Sequence, residues 1–343
     1  MLKKEKQLLE ILQKSCRDLR VSIVIALCIE SSNSRGMGHL FRSLLYIDFL
    51  KKNNMDYIYL INNDEASLRI LDDKQIDYVI VNYDDVSSNW EKDIIKKYRI
   101  NAWLNDKFIT NLQMAKHICD EKIKLFMIDE AGDADSYADI HFAGMIYPSK
   151  PHVRGKEVLS GTDYIILNNE IDFHKKTRKN FNKLLVTLGG SDPFNVTKDV
   201  TLELLKYNYD VDILVGPNYR HIDEIKNIVK GRYRILQNVK SLIEMYDDYS
   251  VAITGGGVTC CEANACGLPC LIIANAEHEV YTGKFIQKLG SSVYLGKHDE
   301  WDKSIIAQIP KLDIEKMSNK GMELFDSGAV KRIFNKIISI MGT

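Results

Sequence analysis

A strand, glycine and helix pattern over Ser250–Ile273 constrains the fold of this chain more than any other stretch. The apolar residues Val251–Ile253 lead into three glycines, Gly255–Gly257, and the small residues that follow, Cys260–Cys266, suit a helix. Gly267–Pro269 then stops the helix before a second apolar run. The pattern predicts a strand, a glycine turn, a helix and a second strand.

The turn of this unit suits an anion such as a diphosphate. Glycines let the backbone approach a ligand, and the amide groups that open the next helix point at the same place with the positive end of the helix dipole behind them. Glu262 lies one turn into the helix, where its carboxylate could accept hydrogen bonds from both hydroxyls of a ribose. The alternative is that the glycines only close a tight turn and that Glu262 complements the dipole.

The composition is that of a globular protein with no global basic field. The 343 residues are enough for about two domains with hydrophobic cores. Lysine and arginine number 46 against 47 aspartates and glutamates, and this formal charge of −1 does not favour nucleic acid as a partner. The longest apolar runs are strand-sized and residues 2–20 are charged throughout, so we expect neither a transmembrane segment nor a signal peptide. The seven cysteines lack zinc-ligand spacing, and we interpret them as small buried residues of a protein in the reducing cytoplasm.

The first part of the chain repeats the strand, loop and helix order. Residues 2–20 predict a helix, because apolar side chains recur among charges at roughly helical spacing. This helix either packs on the body of the protein or provides a fusion or partner contact. The run Ser22–Leu27 predicts a buried strand, a polar glycine loop follows over residues 31–39, and Leu40–Lys51 returns to a helical period. His39 therefore lies close to a helix start.

Strands and helices continue to alternate along the rest of the chain. The first series predicts strands at Tyr57–Ile61, Tyr78–Val81, Ala102–Leu104 and Leu125–Ile128, and helices at Glu65–Asp72, Asn89–Lys97 and Asn111–Asp120. A polar stretch over residues 148–182 is interpreted as an interdomain linker. The second series predicts strands at Lys183–Leu188, Asp210–Val215 and Tyr233–Leu236, a short helix at Leu242–Tyr246, and a helix-rich segment over Lys303–Met341.

This alternation is typical of parallel, doubly wound sheets. We predict an α/β chain of two Rossmann-like domains in tandem with a cleft between them. The predicted boundaries give an N-terminal helix over residues 1–20, a first domain over 21–178 and a second domain over 179–343, with the last helices packing on both domains.

Three glycine loops at strand ends, Gly36–His39, Gly189–Asp192 and Gly255–Glu262, are together more specific than any one of them. Their pattern resembles the two-domain glycosyltransferase B (GT-B) fold, in the branch that holds the MurG-type transferases and the nucleotide-sugar hydrolases. Within that branch the chain resembles the PseG/SpsG family, whose characterised members hydrolyse a UDP-linked diacetamido trideoxy sugar on the route to pseudaminic acid. The matches extend over most of residues 22–295, at Gly36–Arg42, Gly161–Glu170, Leu188–Thr197 and Gly256–Pro269.

The resemblance implies a nucleotide-sugar substrate with UDP as its nucleotide, and no cofactor. It places the sugar and the catalytic group in the first domain and the nucleotide in the second. It assigns the ribose to Glu262, the base to the backbone around Val239, and the diphosphate to Gly256, Gly257, Val258 and Thr259. The other substrate-binding residues that we predict are Gly36, Gly38, Arg42, Gly190, Ser191, Asp192, His278 and Glu279.

His39 matches the histidine proposed as general base in the hydrolases of this family. An imidazole with a pKa near neutrality can take a proton from water as the water attacks the anomeric carbon, while amide groups stabilise the departing UDP. Such a displacement would break the C1–O bond with inversion and needs no metal. The alternative role for His39 is structural, as a residue at a helix N-terminus that bonds a neighbouring carbonyl.

The chain also departs from the family pattern. Cys28 and Glu30 stand where the family has an Arg-x-Asp motif, Asn105-Asp106 stands where it has an Asp-His or Asp-x-Tyr pair, and residues 276–279 replace an Asn-Gln pair. These departures remove donors to the sugar and the diphosphate, so the donor sugar or the reaction is left open.

Two acidic positions have alternative interpretations. Asp129-Glu130 follows a predicted strand and is either a catalytic pair or part of a solvated loop. Asp192 either faces the sugar or caps the following helix.

Hydrolysis of a UDP-linked deoxy amino sugar is the first functional hypothesis, in nonulosonic acid or surface polysaccharide biosynthesis. An inverting GT-B glycosyltransferase, in which His39 deprotonates an acceptor hydroxyl, is the second. A hydrolysing 2-epimerase is a weaker third hypothesis. The alternative that is not an enzyme is a nucleotide-sugar-binding module.

Overall fold

The computed structural model of the protein describes residues 23–32, 37–145 and 153–342. The helix predicted over residues 2–20 and Gly36 of the predicted site lie outside the described residues. The described residues form two compact units, one of residues 23–32, 37–141, 155–157 and 336–342, and the other of residues 142–145, 153–154 and 158–335. The domain boundaries predicted at residues 20 and 178 stay predictions.

The first sheet has the spatial order β3-β2-β1-β4-β5-β6-β7. Its strands are β1 (Val24–Ile29), β2 (Asp56–Ile61), β3 (Val79–Ile80), β4 (Ala102–Asp106), β5 (Lys124–Ile128), β6 (Ile140–Ala143) and β7 (Glu157–Ser160). Strand β1 pairs in parallel with β2 on one side and with β4 on the other. The strand order therefore reverses between β1 and β4, and open α/β sheets bind ligands at the carboxyl ends of the strands beside such a switch point.

Helices α1 (Gly38–Lys52), α2 (Glu65–Asp73), α3 (Trp90–Tyr98) and α4 (Leu112–Asp120) connect these strands. Side-chain caps fix where two of them begin, since Asp64 accepts a hydrogen bond from the Ser67 amide and Asn111 accepts one from the Gln113 amide. On one face of the sheet, Cys28 and Trp103 pack in a buried apolar cluster with side chains of α3 and α4. Each fully buried apolar side chain of this size stabilises the fold by about 1.5–3 kcal/mol.

The second sheet has the order β10-β9-β8-β11-β12-β13-β14, so the same reversal occurs between β8 and β11. Its strands are β8 (Lys183–Thr187), β9 (Asp210–Val215), β10 (Arg234–Gln237), β11 (Val251–Thr254), β12 (Cys270–Ala274), β13 (Val293–Lys297) and β14 (Glu300–Trp301). Strand β11 pairs in parallel with β8 and β12, whereas β13 and β14 are antiparallel.

The helices of this part of the chain are α5 (Val196–Leu204), α6 (Ile222–Val229), α7 (Leu242–Met245), α8 (Val258–Ala265), α9 (Glu277–Leu289), α10 (Ile314–Leu324) and α11 (Ala329–Met341). Alternate strand residues supply two buried clusters, with Leu184 in one and Leu185 in the other. As predicted, the four cysteines around the glycine turn are buried, and all four are in the second of these clusters with their thiols free: Cys260, Cys261, Cys266 and Cys270.

The predicted α/β class with two largely parallel sheets is confirmed. The structure adds elements that were not predicted, which are β6, β7, β13, β14, α6 and α9, and the other differences lie at the ends of elements. Strand β4 extends to Asp106 rather than Leu104, because Asn105 and Asp106 are buried polar residues that an apolar run does not reveal. The stretch 148–182, predicted as a linker, contains β7 and two short 3-10 helices in its described part, Thr162–Tyr164 and Asn169–Phe173.

Candidate active site

The carboxyl ends of β1 and β4 bring together residues that are far apart in the sequence. The last residue of β1, Ile29, is in register with Asp106, the last residue of β4. Helix α1 begins at Gly38 without a side-chain cap on its N-terminus, and His39 is its second residue. The switch point of the first sheet therefore places a histidine beside a buried carboxylate.

His39 and Asp106 form a close contact. The Nδ1 atom of His39 lies 2.6 Å from Oδ1 of Asp106, and the imidazole side chain is 25% exposed whereas the carboxylate is fully buried. The Nη2 atom of Arg42, a donor, lies 3.0 Å from the same Nδ1 atom. The contact with the carboxylate is shorter and two acceptors would repel each other at 2.6 Å, so we assign the proton to Nδ1, which donates it to Asp106. In the neutral imidazole this tautomer leaves Nε2 as an acceptor, which is the state of a general base.

Arg42 and Tyr46, one and two turns further along α1, fix the same carboxylate. The Nε atom of Arg42 donates to both oxygens of Asp106, at 2.9 and 2.7 Å, and its Nη2 donates to Oδ1. The hydroxyl of Tyr46 donates to Oδ2 at 2.7 Å. Arg42 also reaches Asp129 through Nη1 at 3.0 Å. A residue spacing of three to four puts these side chains on one face of the helix.

These contacts set the charge state of Asp106. Burial alone would raise the pKa of this carboxyl, but the charge of Arg42 and the contact with His39 outweigh it and hold the pKa well below its usual range. Burial, together with the neighbouring Asp106 charge, raises the pKa of Tyr46 well above its ordinary value, so Tyr46 stays a hydrogen-bond donor. Asp106 is therefore a permanent anion that orients His39.

Sequence reasoning placed His39, Arg42 and Gly38 at this site but treated Asp106 only as a departure from a family motif. The signal that could have revealed it is the position of an acidic residue at the end of a strand next to β1. The solvated-loop interpretation of Asp129-Glu130 is wrong, since both residues are buried. Glu130 accepts hydrogen bonds from the amides of Thr110 and Gly132 and so closes the loops around it.

Cys28 and Glu30, two of the other departures, flank Ile29, the last residue of β1. The Cys28 thiol lies 3.4 Å from the Tyr83 hydroxyl, and burial raises its pKa to about 11. The thiol therefore remains neutral near pH 7 and is unsuited to act as a nucleophile. Glu30 lines a polar cavity of 650 Å³ at the ends of β1, β2 and β3, together with residues that include Asn62, Asp64 and Asp84.

In the second unit, the glycine loop Gly255–Gly257 follows β11 and leads into α8, as the sequence predicted. Val258 and Thr259 open this helix, and Val258 is 37% exposed. A Cβ on Gly256 would lie 2.6 Å from the backbone oxygen of Glu279, so only glycine fits there. The loop has the exposed helix start that an anion requires.

The predicted ribose ligand, Glu262, is partly buried on α8. Burial raises the pKa of its carboxyl to about 7, although the backbone amide of Asn168 donates a hydrogen bond to it. Glu170 adds to the increase through its negative charge and accepts a hydrogen bond from the Ser241 hydroxyl at 2.9 Å. Asn168 and Glu170 belong to the segment Gly161–Glu170, which the sequence identified only by its match to the family. The structure places both residues beside Glu262.

The other predicted substrate-binding residues of this unit have different surroundings. Gly190 and Ser191 are exposed after β8, and Val239 packs against the buried cluster that contains Leu185. Both carboxylate oxygens of Asp192 accept hydrogen bonds from amides of α5, at 2.9 and 2.8 Å, so these bonds are those of a helix cap. His278 is exposed at the start of α9, and the side chain of Glu279 lies against the glycine loop.

Solved structures share the fold over more than nine-tenths of the chain. MurG of Acinetobacter baumannii aligns with a TM-score of 0.69 and 13% identity over 93% of this chain and 99% of MurG. Anabaena Alr3699/HepE, whose structure is a complex with UDP, aligns with a TM-score of 0.64 and 12% identity over 92% of this chain and 99% of HepE. At such identities the likeness concerns the fold, which is the GT-B fold that the sequence predicted.

Comparison of sequences shows which proteins this chain resembles. No protein-family model matches the chain. The spore coat polysaccharide biosynthesis protein SpsG of Bacillus subtilis is 25% identical over 291 residues, which are 79% of this chain and 83% of SpsG. The chain is therefore similar to SpsG over most of its length, and it has the GT-B fold. A second relative, "Uncharacterized protein MJ1062" of Methanocaldococcus jannaschii, is 26% identical over 74% of this chain, which spans only 56% of that protein's length.

Residues 23–32, 37–145 and 153–342 include no helix with the length and apolar character needed to cross a membrane.

Proposed function

We propose that this SpsG-like protein hydrolyses a UDP-linked deoxy amino sugar at its C1–O bond and releases UDP, in the biosynthesis of a nonulosonic acid or another surface polysaccharide component. The observation that carries the proposal is the contact between His39 and Asp106 at the switch point of the first sheet. The name of SpsG supports a role in polysaccharide biosynthesis, and the UDP complex of HepE supports a substrate that contains UDP.

In the proposed reaction the oxygen of water attacks the anomeric carbon, and Nε2 of His39 accepts the proton that the water loses. The C1–O bond breaks at the same time, and its electron pair leaves with the diphosphate. The imidazolium that forms is stabilised by the permanent negative charge of Asp106. The amides of Gly256–Thr259 are the proposed site for the charge of the departing diphosphate. The products are UDP and a free sugar with inverted configuration at C1.

The test is a panel of UDP-sugars incubated with the protein in water enriched in oxygen-18, with UDP and the free sugar analysed by mass spectrometry. We expect the label in the sugar and none in UDP, because C1–O cleavage leaves the original oxygen on phosphate. His39→Gln should lower kcat by roughly 10²–10⁴-fold while UDP still binds. His221→Gln, at an exposed position in the second unit, is the matched control and should keep the rate. Label in UDP, or full activity of His39→Gln, would contradict the mechanism.

A second candidate function is inverting glycosyl transfer, with the hydroxyl of an acceptor sugar in place of water. The cavity of 650 Å³ at the ends of β1–β3 favours it, because that volume suits a small molecule and its lining of carboxylates and amides suits hydroxyl groups. This function predicts slow hydrolysis of the donor that accelerates strongly when the right acceptor is added. Turnover that no acceptor accelerates supports the hydrolase instead. A pure binding module would bind UDP and turn over no donor under either condition.

A further inference from the structure

The carboxylate of Glu279 occupies the glycine loop of the second unit. Its Oε2 atom accepts a hydrogen bond from the Gly256 amide at 3.3 Å and another from the Asn275 amide at 2.7 Å. The same carboxylate lies 3.5 Å from the position of a Cβ on Gly255 and 3.7 Å from that of a Cβ on Gly257. A single negative charge therefore lies along all three glycines of the proposed diphosphate loop.

The backbone of Glu279 packs against the glycine loop, and hydrogen bonds from two backbone amides hold its carboxylate there. Glu279 is the third residue of α9, and its backbone oxygen packs against Gly256 so closely that a methyl group there would lie 2.6 Å away. Across the described part of the chain, no lysine, arginine or histidine forms an ion pair with this carboxylate. Among the described residues, the amides of Gly256 and Asn275 and the start of α9 stabilise its charge. The neighbouring Glu277 differs, since it is exposed and pairs with Lys297 at 3.8 Å.

One buried polar group beside the loop has no hydrogen-bond partner among the described residues. This group is the side-chain oxygen of Asn275. A buried acceptor without a donor costs free energy, so a ligand hydroxyl or amide that donates to it would stabilise this region. The loop with Glu279 in place therefore has an unmet interaction that a ligand can supply.

We propose that Glu279 is an internal competitor of the diphosphate, which must displace it from the Gly256 amide, and that its charge selects against ligands with more negative charge. This inference rests on the proposed function. The diphosphate of a nucleotide sugar carries two charges, whereas the terminal phosphate of free UDP, with a second pKa near 6, adds most of a third above pH 7. Glu279 thus weakens the binding of the product UDP more than that of the substrate, which favours product release.

A purely structural role for Glu279 makes a different prediction. A glutamate at the third position of a helix commonly accepts a hydrogen bond from an amide that precedes the helix, as the bond from Asn275 shows. Glutamine can accept the same bond through its side-chain oxygen. A capping role alone therefore predicts that Glu279→Gln leaves the affinity for UDP unchanged.

The experiment compares wild type, Glu279→Gln and Glu277→Gln by titration calorimetry at pH 8 with uridine and with UDP. Uridine lacks the phosphates and so reports the rest of the site. We expect Glu279→Gln to bind UDP roughly tenfold more tightly, because a like charge within a few ångströms is removed, and to bind uridine as wild type does. Glu277→Gln removes the same charge from the same helix end, at an exposed position, and should change UDP affinity by less than about threefold.

Thermal unfolding of each variant confirms that it is folded, and Glu279→Ala, which removes the acceptor as well as the charge, should also tighten UDP. The inference is overturned if Glu279→Gln binds UDP no more tightly than wild type, or if it tightens uridine and UDP equally. That result, obtained with a protein that still turns over a UDP-sugar, leaves the proposed function standing. A wild type that binds neither UDP nor uridine and turns over no donor overturns the proposed function itself.

Discussion

Each unit has a carboxyl group at or just after the strand that follows its switch point, and the surroundings shift the pKa values of the two groups in opposite directions. Asp106 ends β4 in the first unit, and Glu262 lies on the helix that follows β11, the strand in the same place of the second sheet. Asp106 is surrounded by Arg42, Tyr46 and His39, and its pKa lies well below the usual range. Glu262 has one backbone amide and the charge of Glu170 nearby, and burial raises its pKa to about 7.

The difference shows what each kind of site can do. A carboxylate fixed by an arginine is charged at every pH near neutrality, and it can orient a histidine and stabilise the imidazolium. A carboxyl whose pKa lies near 7 exists in both states, and it gains most from a ligand that donates hydrogen bonds to its charged form. The first unit is thus suited to proton transfer and the second to binding.

Asp106→Asn should have the largest effect, because it removes the charge on which the first site depends. Arg42 is left largely buried with Asp129 as its carboxylate partner, and breaking a buried ion pair on one side costs about 3–5 kcal/mol. We expect urea denaturation to show a loss of this size in the free energy of unfolding. In the folded fraction, kcat for a UDP-sugar should fall by roughly 10²–10⁴-fold.

The matched control is Asp129→Asn, which removes the other carboxylate bound to Arg42 and leaves the contact between His39 and Asp106 intact. A smaller loss of kcat than for Asp106→Asn is expected. Equal losses in the two variants would mean that the charge of Arg42, rather than the orientation of His39, limits the rate.

The sequence predicted much of this comparison but not its central contact. Gly255–Gly257 and Glu262 are close in the sequence, so the strand, turn and helix of the second site could be predicted locally. His39 and Asp106 are 67 positions apart, and their contact depends on β4 pairing with β1. Local periodicity predicts where strands are, but the order of strands in a sheet is set by the packing of the whole chain.

The contact that Glu279 makes with the glycine loop could not be predicted for a related reason. The sequence identified Glu279 only as a predicted substrate-binding residue. Its bond to Gly256 could not be predicted, because it depends on how closely the loops after β11 and β12 approach each other. The direction of a side chain at a loop depends on packing, so composition and residue spacing do not predict it.

Gly256→Ala should have an intermediate effect and tests the packing of the second loop. The added methyl would lie 2.6 Å from the Glu279 backbone oxygen and 2.8 Å from its Cβ, so the start of α9 must shift. We expect chemical denaturation to show a loss of about 1–3 kcal/mol in the free energy of unfolding, and weaker binding of UDP.

Gly38→Ala is the counterpart in the first unit. A Cβ at Gly38 meets no atom within 4 Å, and alanine is the better helix former, so the free energy of unfolding should stay the same or rise by up to about 1 kcal/mol. A similar loss in both variants would contradict the packing difference between the two loops.

The last prediction concerns the pKa of Glu262 and is a change with pH. Its folded-state pKa of about 7 lies above the ordinary value of 4.5, so the folded state holds a proton that the unfolded state has lost between these two pH values. The free energy of unfolding should therefore fall as pH rises from about 4.5 through 7, by about 2 kcal/mol for this partly accessible group. Glu262→Gln cannot ionise, and its unfolding in urea should lack this part of the pH dependence.

The affinity for uridine should change with pH in the opposite direction to the free energy of unfolding. Such a change would connect the raised pKa of Glu262 to its proposed role in binding the ribose. Uridine has no phosphate, and its affinity should rise between pH 6 and pH 8, because the ionised Glu262 accepts hydrogen bonds from the ribose hydroxyls. Glu262→Gln should remove both pH effects, whereas Glu244→Gln, at an exposed position on α7, should remove neither. A uridine affinity that stays constant across this range would mean that Glu262 has a packing role and does not bind the ribose.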